Sequence, residues 1–205
     1  MSLWITDCLP IALLAAGVVW RWLALRKSES VDKLIASRRV WVQKVMSTPG
    51  HEILAVQTVR NSLMAASLMA TTAALGVAGA LSIGREAGAL GNEISLDLLG
   101  VTAHWAALKT ALLAACLALG FLLFSLAVRF YHRVGYTLAG YQGGQDGDPA
   151  ALELASAELM RVAAFYRAGW RALYAAIVCA AWFFGSWPML VAGGFAMGLD
   201  RAVSE

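Results

Sequence analysis

The sequence predicts an all-α integral membrane protein with four transmembrane helices and two cytoplasmic amphipathic helices. Of its 205 residues, 60% are hydrophobic and only 14% are charged, whereas soluble domains average roughly 45 to 50% and about 25%. The excess apolar residues form four runs, each long enough to cross a hydrocarbon core of about 30 Å. Basic residues cluster in two of the connecting segments. We therefore expect a single membrane domain over residues 1–205.

The four spans are predicted near residues 3–25, 58–83, 104–129 and 170–197. The first is interpreted as a retained helix, because no positive charge precedes its apolar core and no small-residue cleavage site follows it. Pro188 is expected to kink or end the regular part of the fourth span. No metal site, disulfide or cofactor is expected, because the three cysteines, Cys8, Cys116 and Cys179, lie inside spans without ligand spacing.

The distribution of basic residues predicts the orientation. Only Arg85, Lys109 and Arg201 of the 16 lysines and arginines lie outside the segments that join spans one to two and three to four, together with their flanks. Because Lys and Arg are retained in the cytoplasm, both termini and the 84–103 loop are expected outside. In a bacterial cell this would be the inner membrane. The same pattern is the ordinary topogenic one, so no nucleic-acid partner is expected.

Two cytoplasmic segments have amphipathic helical patterns, at residues 28–47 and 149–168. Thr48-Pro49-Gly50 is expected to end the first, and the glycine-rich stretch 140–147 is interpreted as a linker before the second. A basic helix is drawn to anionic lipid, and a helix that binds a protein partner has the same pattern. The candidates for binding lipid headgroups or a partner are Arg38, Arg39, Trp41 and Lys44.

Span two carries a polar face. At 100° per residue, one side of the helix is shared by Gln57, Arg60, Asn61, Met64, Thr71 and Thr72. A helix from His51 to Ile83 would be close to 50 Å long, so its first turns must protrude to the inner headgroup level. Polar groups in hydrocarbon are costly, so the face should point into the bundle, toward another subunit or toward water.

Few other residues suggest chemistry. Asp7 and Lys109 lie near the outer ends of their spans, and an ion pair between them is a hypothesis. His51 and His104 lie on opposite sides of the membrane and cannot form one site. We expect no enzyme, because no nucleophile elbow, paired histidines or carboxylate dyad is present.

The run AVQTVRNSLMAASLMATT at residues 55–72, with RRVWV at 38–42 upstream, resembles the uncharacterised family DUF599. That family comprises small multi-span membrane proteins of bacteria and plants. The resemblance implies a layout of four spans over most of the chain and no particular activity. It also marks Gln57, Arg60 and Asn61 as functional candidates.

Three functional classes remain open. The first is an oligomeric channel or transport pore lined by the polar face of span two. The second is a non-catalytic scaffold or partner subunit that binds anionic lipid or protein through its basic helix. The third, a lipid-modifying enzyme using Arg60, lacks a converging acid, base or nucleophile. A homo-oligomer is expected, because four short spans leave little room for an internal cavity.

Overall fold

The computed structural model describes residues 29–48, 50–90, 103–139 and 149–204, and the regular structure in these ranges is wholly helical. The five helices are α1 (Glu29–Ser47), α2 (Glu52–Leu90), α3 (Ala103–Ala139), α4 (Pro149–Trp182) and α5 (Ser186–Ser204). The predicted all-α class is therefore confirmed. The first predicted span, Asp7 and the glycine-rich stretch 140–147 lie outside the described residues.

Two helices are long and apolar enough to cross a membrane, over Ile53–Glu86 in α2 and Ala106–Leu138 in α3. Only 22% and 17% of their most apolar windows are buried within the protein. Large apolar side chains such as Leu75 (69% exposed) and Leu122 (57% exposed) point away from the rest of the protein. A core helix of a soluble protein would be covered by its neighbours, so these surfaces indicate a membrane location.

Both helices extend beyond the spans predicted within them. With 39 and 37 residues, α2 and α3 are ~58 and ~56 Å long at about 1.5 Å per residue. No charged residue lies between Arg60 and Arg85 in α2, or between Lys109 and Arg129 in α3. These charge-free stretches match a hydrocarbon core of about 30 Å. If α2 and α3 cross a bilayer, the turns around Arg60 and Arg129 lie at headgroup level.

The helices form two compact units, and the unit that contains α1 will be called the basic-helix unit. It comprises residues 29–72 and 120–170. Its core consists of Val42, Val45, Ala55, Val59, Val134, Leu138, Ala155 and Val162. Helix α1 contributes Val42 and Val45, so this part of α1 is buried against the rest of the unit. The predicted end of α1 is confirmed, with a turn at Gly50 whose φ of 86° suits glycine.

A tight aromatic contact fixes α3 against α4 in the same unit. Phe124 is fully buried, and its ring lies edge to face with Tyr166 at 5.5 Å and with Trp170 at 6.3 Å between centroids. Gly169 leaves room for the ring, because a Cβ there would lie 2.9 Å from two of its carbons. The absence of a side chain at Gly169 thus permits the close approach of the two helices.

The other unit, here called the hairpin unit, includes residues 73–90, 103–119 and 171–204 of the described chain. Its α4 segment ends at Trp182, and α5 begins at Ser186 after a turn in which Gly185 has a φ of 118°. Pro188 has no N–H to donate to the carbonyl of Phe184, so a regular helix cannot continue through this point. The interruption expected from Pro188 is confirmed.

The chain also reverses direction at this turn. Arg171 Nε donates to Asp200 Oδ1 at 3.1 Å, across 29 positions of sequence, whereas a straight helix would separate them by ~44 Å. Helix α5 therefore runs back along the end of α4 as a helical hairpin. The apolar run over 170–197, predicted as the fourth span, is thus divided between two helices that fold back on each other, because hydropathy measures the length of an apolar run and not its path.

Candidate functional site

A cavity of about 210 Å³ lies within the basic-helix unit. Four helices line it, with the residues Arg38, Trp41, Thr58, Val59, Ser62, Tyr131, Leu159, Val162 and Ala163. It will be called the Arg38 cavity. The two stretches that carry the family resemblance, 38–42 and 55–72, both contribute to it. The first stretch lies on α1 and the second on α2, and the fold brings them together at the cavity.

Helical spacing explains why these side chains meet. On α1, Arg38 lies four residues before the fully buried Val42 and Trp41 lies four residues before the buried Val45, so both lie toward the buried side of the helix. On α2, Ser62 lies three residues after the buried Val59. The faces that bury the core of the unit therefore also carry the polar side chains of the cavity.

The charge in the cavity is an arginine without an ionic partner. Arg38 is half-buried. No carboxylate of the described residues forms a salt bridge with it; the ion pair found among those residues joins Arg171 to Asp200. The Tyr131 side chain interacts with the Ser62 hydroxyl and lies within electrostatic range of Arg38. A guanidinium in this setting keeps its donors available for an anion.

The two aliphatic hydroxyls of the cavity already donate to their own helix. Thr58 Oγ1 donates to the Leu54 carbonyl at 2.9 Å, and Ser62 Oγ donates to the Thr58 carbonyl at 3.1 Å. Each oxygen retains lone pairs but has used its hydrogen. Because Ser62 has used its hydrogen, the Tyr131 hydroxyl donates in its interaction with Ser62. The cavity therefore offers donors from Arg38, and acceptors from Thr58, Ser62 and Tyr131.

The predicted polar face lies elsewhere on α2. Every member of that face is exposed: Gln57, Arg60, Asn61, Met64, Thr71 and Thr72. None of these six side chains lines the Arg38 cavity. Sequence periodicity correctly placed these residues on one side of α2, but it could not show whether that side was covered.

The hydroxyls on this face are satisfied by their own helix. Thr71 Oγ1 donates to the Ser67 carbonyl at 3.1 Å and Thr72 Oγ1 to the Leu68 carbonyl at 2.9 Å. This arrangement lets threonine lie in hydrocarbon without water. At the other end of the face, the side chains of Gln57, Arg60 and Asn61 are exposed and make no hydrogen bond or ion pair with another described residue.

The remaining basic-helix candidates divide between two sides of α1. Arg39 and Lys44 are exposed, whereas Arg38 enters the cavity and the half-buried Trp41 packs against the core of the unit. The four residues predicted as one binding surface therefore form two surfaces. One is the exposed basic strip of Arg39 and Lys44, and the other is part of the Arg38 cavity, which is partly open.

Lys109 stabilises the turn of the hairpin unit. It is 5% exposed, and its Nζ donates to the Trp182 carbonyl at 3.0 Å while lying 4.8 Å from the centroid of the Trp182 ring. Trp182 ends α4, where the last carbonyls lack helical partners and attract a cation. Asp7 lies outside the described residues, so the Asp7–Lys109 ion pair stays a prediction.

Sequence spacing did not reveal one further contact. The thiols of Cys116 on α3 and Cys179 on α4 interact within the hairpin unit, and both cysteines are free. In the described part of the chain, His, Cys, Asp and Glu form no group of three or more able to hold a metal.

Tyr131, Thr58 and Ser62 are the cavity residues that sequence reasoning did not select. Tyr131 follows Arg129 at the end of a charge-free stretch, a position typical of aromatic residues at the membrane interface. That position indicated depth in the membrane but not a contact with α1. Thr58 and Ser62 lie within the stretch of family resemblance, on the side of α2 away from the predicted polar face.

Comparison with known proteins connects these features to a family. A family model described as "Protein of unknown function, DUF599" matches residues 3–198. No curated protein and no solved structure matches the chain. The family match includes both stretches that surround the Arg38 cavity, the two apolar helices and most of the hairpin. The chain belongs to the DUF599 family.

Proposed function

We propose that this protein is a non-catalytic membrane subunit that binds the anionic cytoplasmic leaflet through α1. The observation that carries the proposal is the placement of the basic side chains of α1. Val42 and Val45 fix the helix to its unit, while Arg39 and Lys44 stay exposed. A docked helix with an exposed basic strip holds its charges at a fixed depth, where each contributes about 1 kcal/mol near anionic lipid.

The charge pattern supports a layout in the inner membrane, with α1 and the first turns of α4 in the cytoplasm. Residues 3–25, α2 and α3 each cross the bilayer in this layout, which leaves the N-terminus outside. The fourth crossing is replaced by the hairpin of α4 and α5. Because α5 runs back from that turn toward the cytoplasmic end of α4, we infer that the C-terminus faces the cytoplasm, in contrast to the sequence-based expectation.

A lipid-binding measurement tests the proposal. Full-length protein in detergent is titrated with a fluorescent phosphatidylglycerol and with a fluorescent phosphatidylcholine of the same chain length. Reversing the charge at both Arg39 and Lys44 to Glu should lower the preference for the anionic lipid by roughly 30-fold or more for two charges. Arg85→Glu, an exposed arginine at the opposite end of α2, serves as the matched control. Equal preference in all variants contradicts the proposal.

A second candidate function rests on the exposed polar face of α2. Gln57, Arg60 and Asn61 have no partner among the described residues, and a second copy of the chain can supply one. In an oligomer this face can either seal as a helix contact or line a pore. The hydroxyls of Thr71 and Thr72 need no water, which favours a sealed contact.

An ion-flux assay with Asn61→Leu separates these two forms. A current from reconstituted protein that Asn61→Leu removes supports a channel. Absence of current, with Asn61→Leu dissociating the oligomer on size-exclusion chromatography, supports a scaffold. If Asn61→Leu changes neither property, the face has no role in assembly or permeation.

A further inference from the structure

The Arg38 cavity lies at the depth of lipid headgroups. Thr58 and Ser62 flank Arg60, where the charge-free stretch of α2 begins, and Tyr131 lies two residues beyond Arg129, where that of α3 ends. Both helices thus bring cavity residues to the same boundary between hydrocarbon and water. A ligand in the cavity can keep an apolar tail in the bilayer while its polar part contacts Arg38.

The size of the cavity restricts its occupant. Its volume of about 210 Å³ is below the roughly 300 to 1,000 Å³ typical of pockets that enclose a drug-sized ligand. A phosphate group with a short polar substituent is of suitable size, whereas a whole lipid or a nucleotide is too large. Leu159, Val162 and Ala163 provide an apolar wall on the α4 side.

The chemistry of the lining matches a phosphate that carries a hydroxyl. Arg38 can donate to phosphate oxygens with its guanidinium fork. The phenolic hydroxyl of Tyr131 interacts with Ser62, and it can turn its hydrogen from Ser62 to a phosphate oxygen beside Arg38. Thr58 and Ser62 have given their hydrogens to backbone carbonyls, so their oxygens can only accept. A headgroup that combines an anionic phosphate with a hydroxyl donor satisfies both the donors and the acceptors of the cavity.

We propose that the Arg38 cavity binds the headgroup of one anionic glycerophospholipid, with its phosphate on Arg38 and Tyr131 and a headgroup hydroxyl on Ser62 or Thr58. Phosphatidylglycerol has this chemistry. The inference rests on the proposed function for the placement of α1 at the cytoplasmic leaflet. It adds a single stoichiometric site to the general attraction of the exposed basic strip.

Native mass spectrometry of the full-length protein, purified and then exchanged into phosphatidylglycerol-containing detergent, tests the site. Wild-type protein should retain one phosphatidylglycerol per chain. Arg38→Gln should weaken its binding roughly a hundredfold and Tyr131→Phe about tenfold, the ranges for losing hydrogen bonds to a charged group. Arg161→Gln is the matched control, because it removes the same charge from an exposed position on α4 of the same unit.

Using two variants, Arg38→Gln and Tyr131→Phe, keeps the experiment informative if one of them misfolds. Tyr131→Phe removes one hydroxyl and keeps the ring, so it carries the test if Arg38→Gln does not elute as folded protein. A parallel titration with soluble glycerol 3-phosphate separates the two sources of a phosphate ester. Binding of that compound with the same dependence on Arg38, without retained lipid, overturns the assignment to a lipid.

The remaining outcomes separate this inference from the proposed function. If Arg38→Gln and Arg161→Gln weaken lipid retention equally, the lipid is held by overall charge, which overturns the cavity site and leaves the role of the basic strip intact. If the wild-type protein shows no preference for phosphatidylglycerol over phosphatidylcholine in either experiment, both proposals fail. Loss of the retained lipid in Arg38→Gln alone supports the cavity site.

Discussion

The ion pair between Arg171 and Asp200 distinguishes a helical hairpin from a straight fourth span. A double-mutant cycle with Arg171→Gln, Asp200→Asn and the double variant measures the coupling free energy between the two side chains. In the hairpin their charged atoms are 3.1 Å apart. In a single straight helix over the same residues they would be ~44 Å apart.

The two geometries predict coupling energies that differ measurably. At 3.1 Å, Coulomb's law gives ~1.3 kcal/mol in water and ~5 kcal/mol at an effective dielectric constant of about 20, against ~0.4 kcal/mol or less at ~44 Å. The Arg171 side chain is 45% exposed and that of Asp200 21%, so solvation reduces the upper figure. We expect a coupling of about 1 kcal/mol.

Unfolding of the reconstituted protein by SDS, followed by tryptophan fluorescence, provides the four free energies. The pair Arg171→Gln with Glu86→Gln is the control cycle and should be additive, since Glu86 is an exposed carboxylate on α2. A reporter fused to the C-terminus gives a second readout and should be active in the cytoplasm. A coupling below ~0.3 kcal/mol together with an external C-terminus would refute the hairpin.

Two further predictions concern helix packing and are measured by the same SDS unfolding. Gly169→Ala should destabilise the protein by about 1 to 3 kcal/mol, because the new Cβ overlaps the ring of Phe124. Gly79→Ala, whose Cβ meets nothing within 4 Å, should be neutral or slightly stabilising, and equal losses in both variants would contradict the steric argument. Lys109→Met should cost about 1 to 3 kcal/mol by removing the charged hydrogen bond to the Trp182 carbonyl, which then keeps only the bond from the Gly185 N–H. It should also expose the hairpin turn to proteolysis; unchanged stability and protection would exclude a capping role.

The helices themselves were predictable from sequence because they depend on local information. Hydropathy and 3.6-residue periodicity located α1, α2 and α3, and the Thr48-Pro49-Gly50 break predicted the end of α1 at Ser47. Pro188 predicted the interruption before α5, since a missing N–H acts on the carbonyl four residues earlier. Each of these inferences uses residues within one or two turns of each other.

The hairpin and the cavity were not predictable, because both depend on contacts between distant residues. Whether an apolar run of 28 positions over 170–197 crosses once or folds back depends on a turn at Gly185 and on what α4 and α5 meet. Tyr131 and Arg38 are on different helices, and no spacing rule relates them. Periodicity identified the polar face of α2, but the cavity lies on its other side.

The position of that cavity explains why α2 has polar residues on two sides at its headgroup end. At 100° per residue, the midpoint of Thr58 and Ser62 lies about 120° around the helix from Gln57, so one side contacts a ligand within the unit and the other stays exposed. A helix that served only as an anchor would need polar residues on one side at this level and not on two. Because a helix turns as a rigid body, a headgroup bound by Arg38 and the residues of α2 would also fix the direction in which Gln57, Arg60 and Asn61 face a second copy. Lipid binding and assembly would then be linked through α2, without a catalytic step.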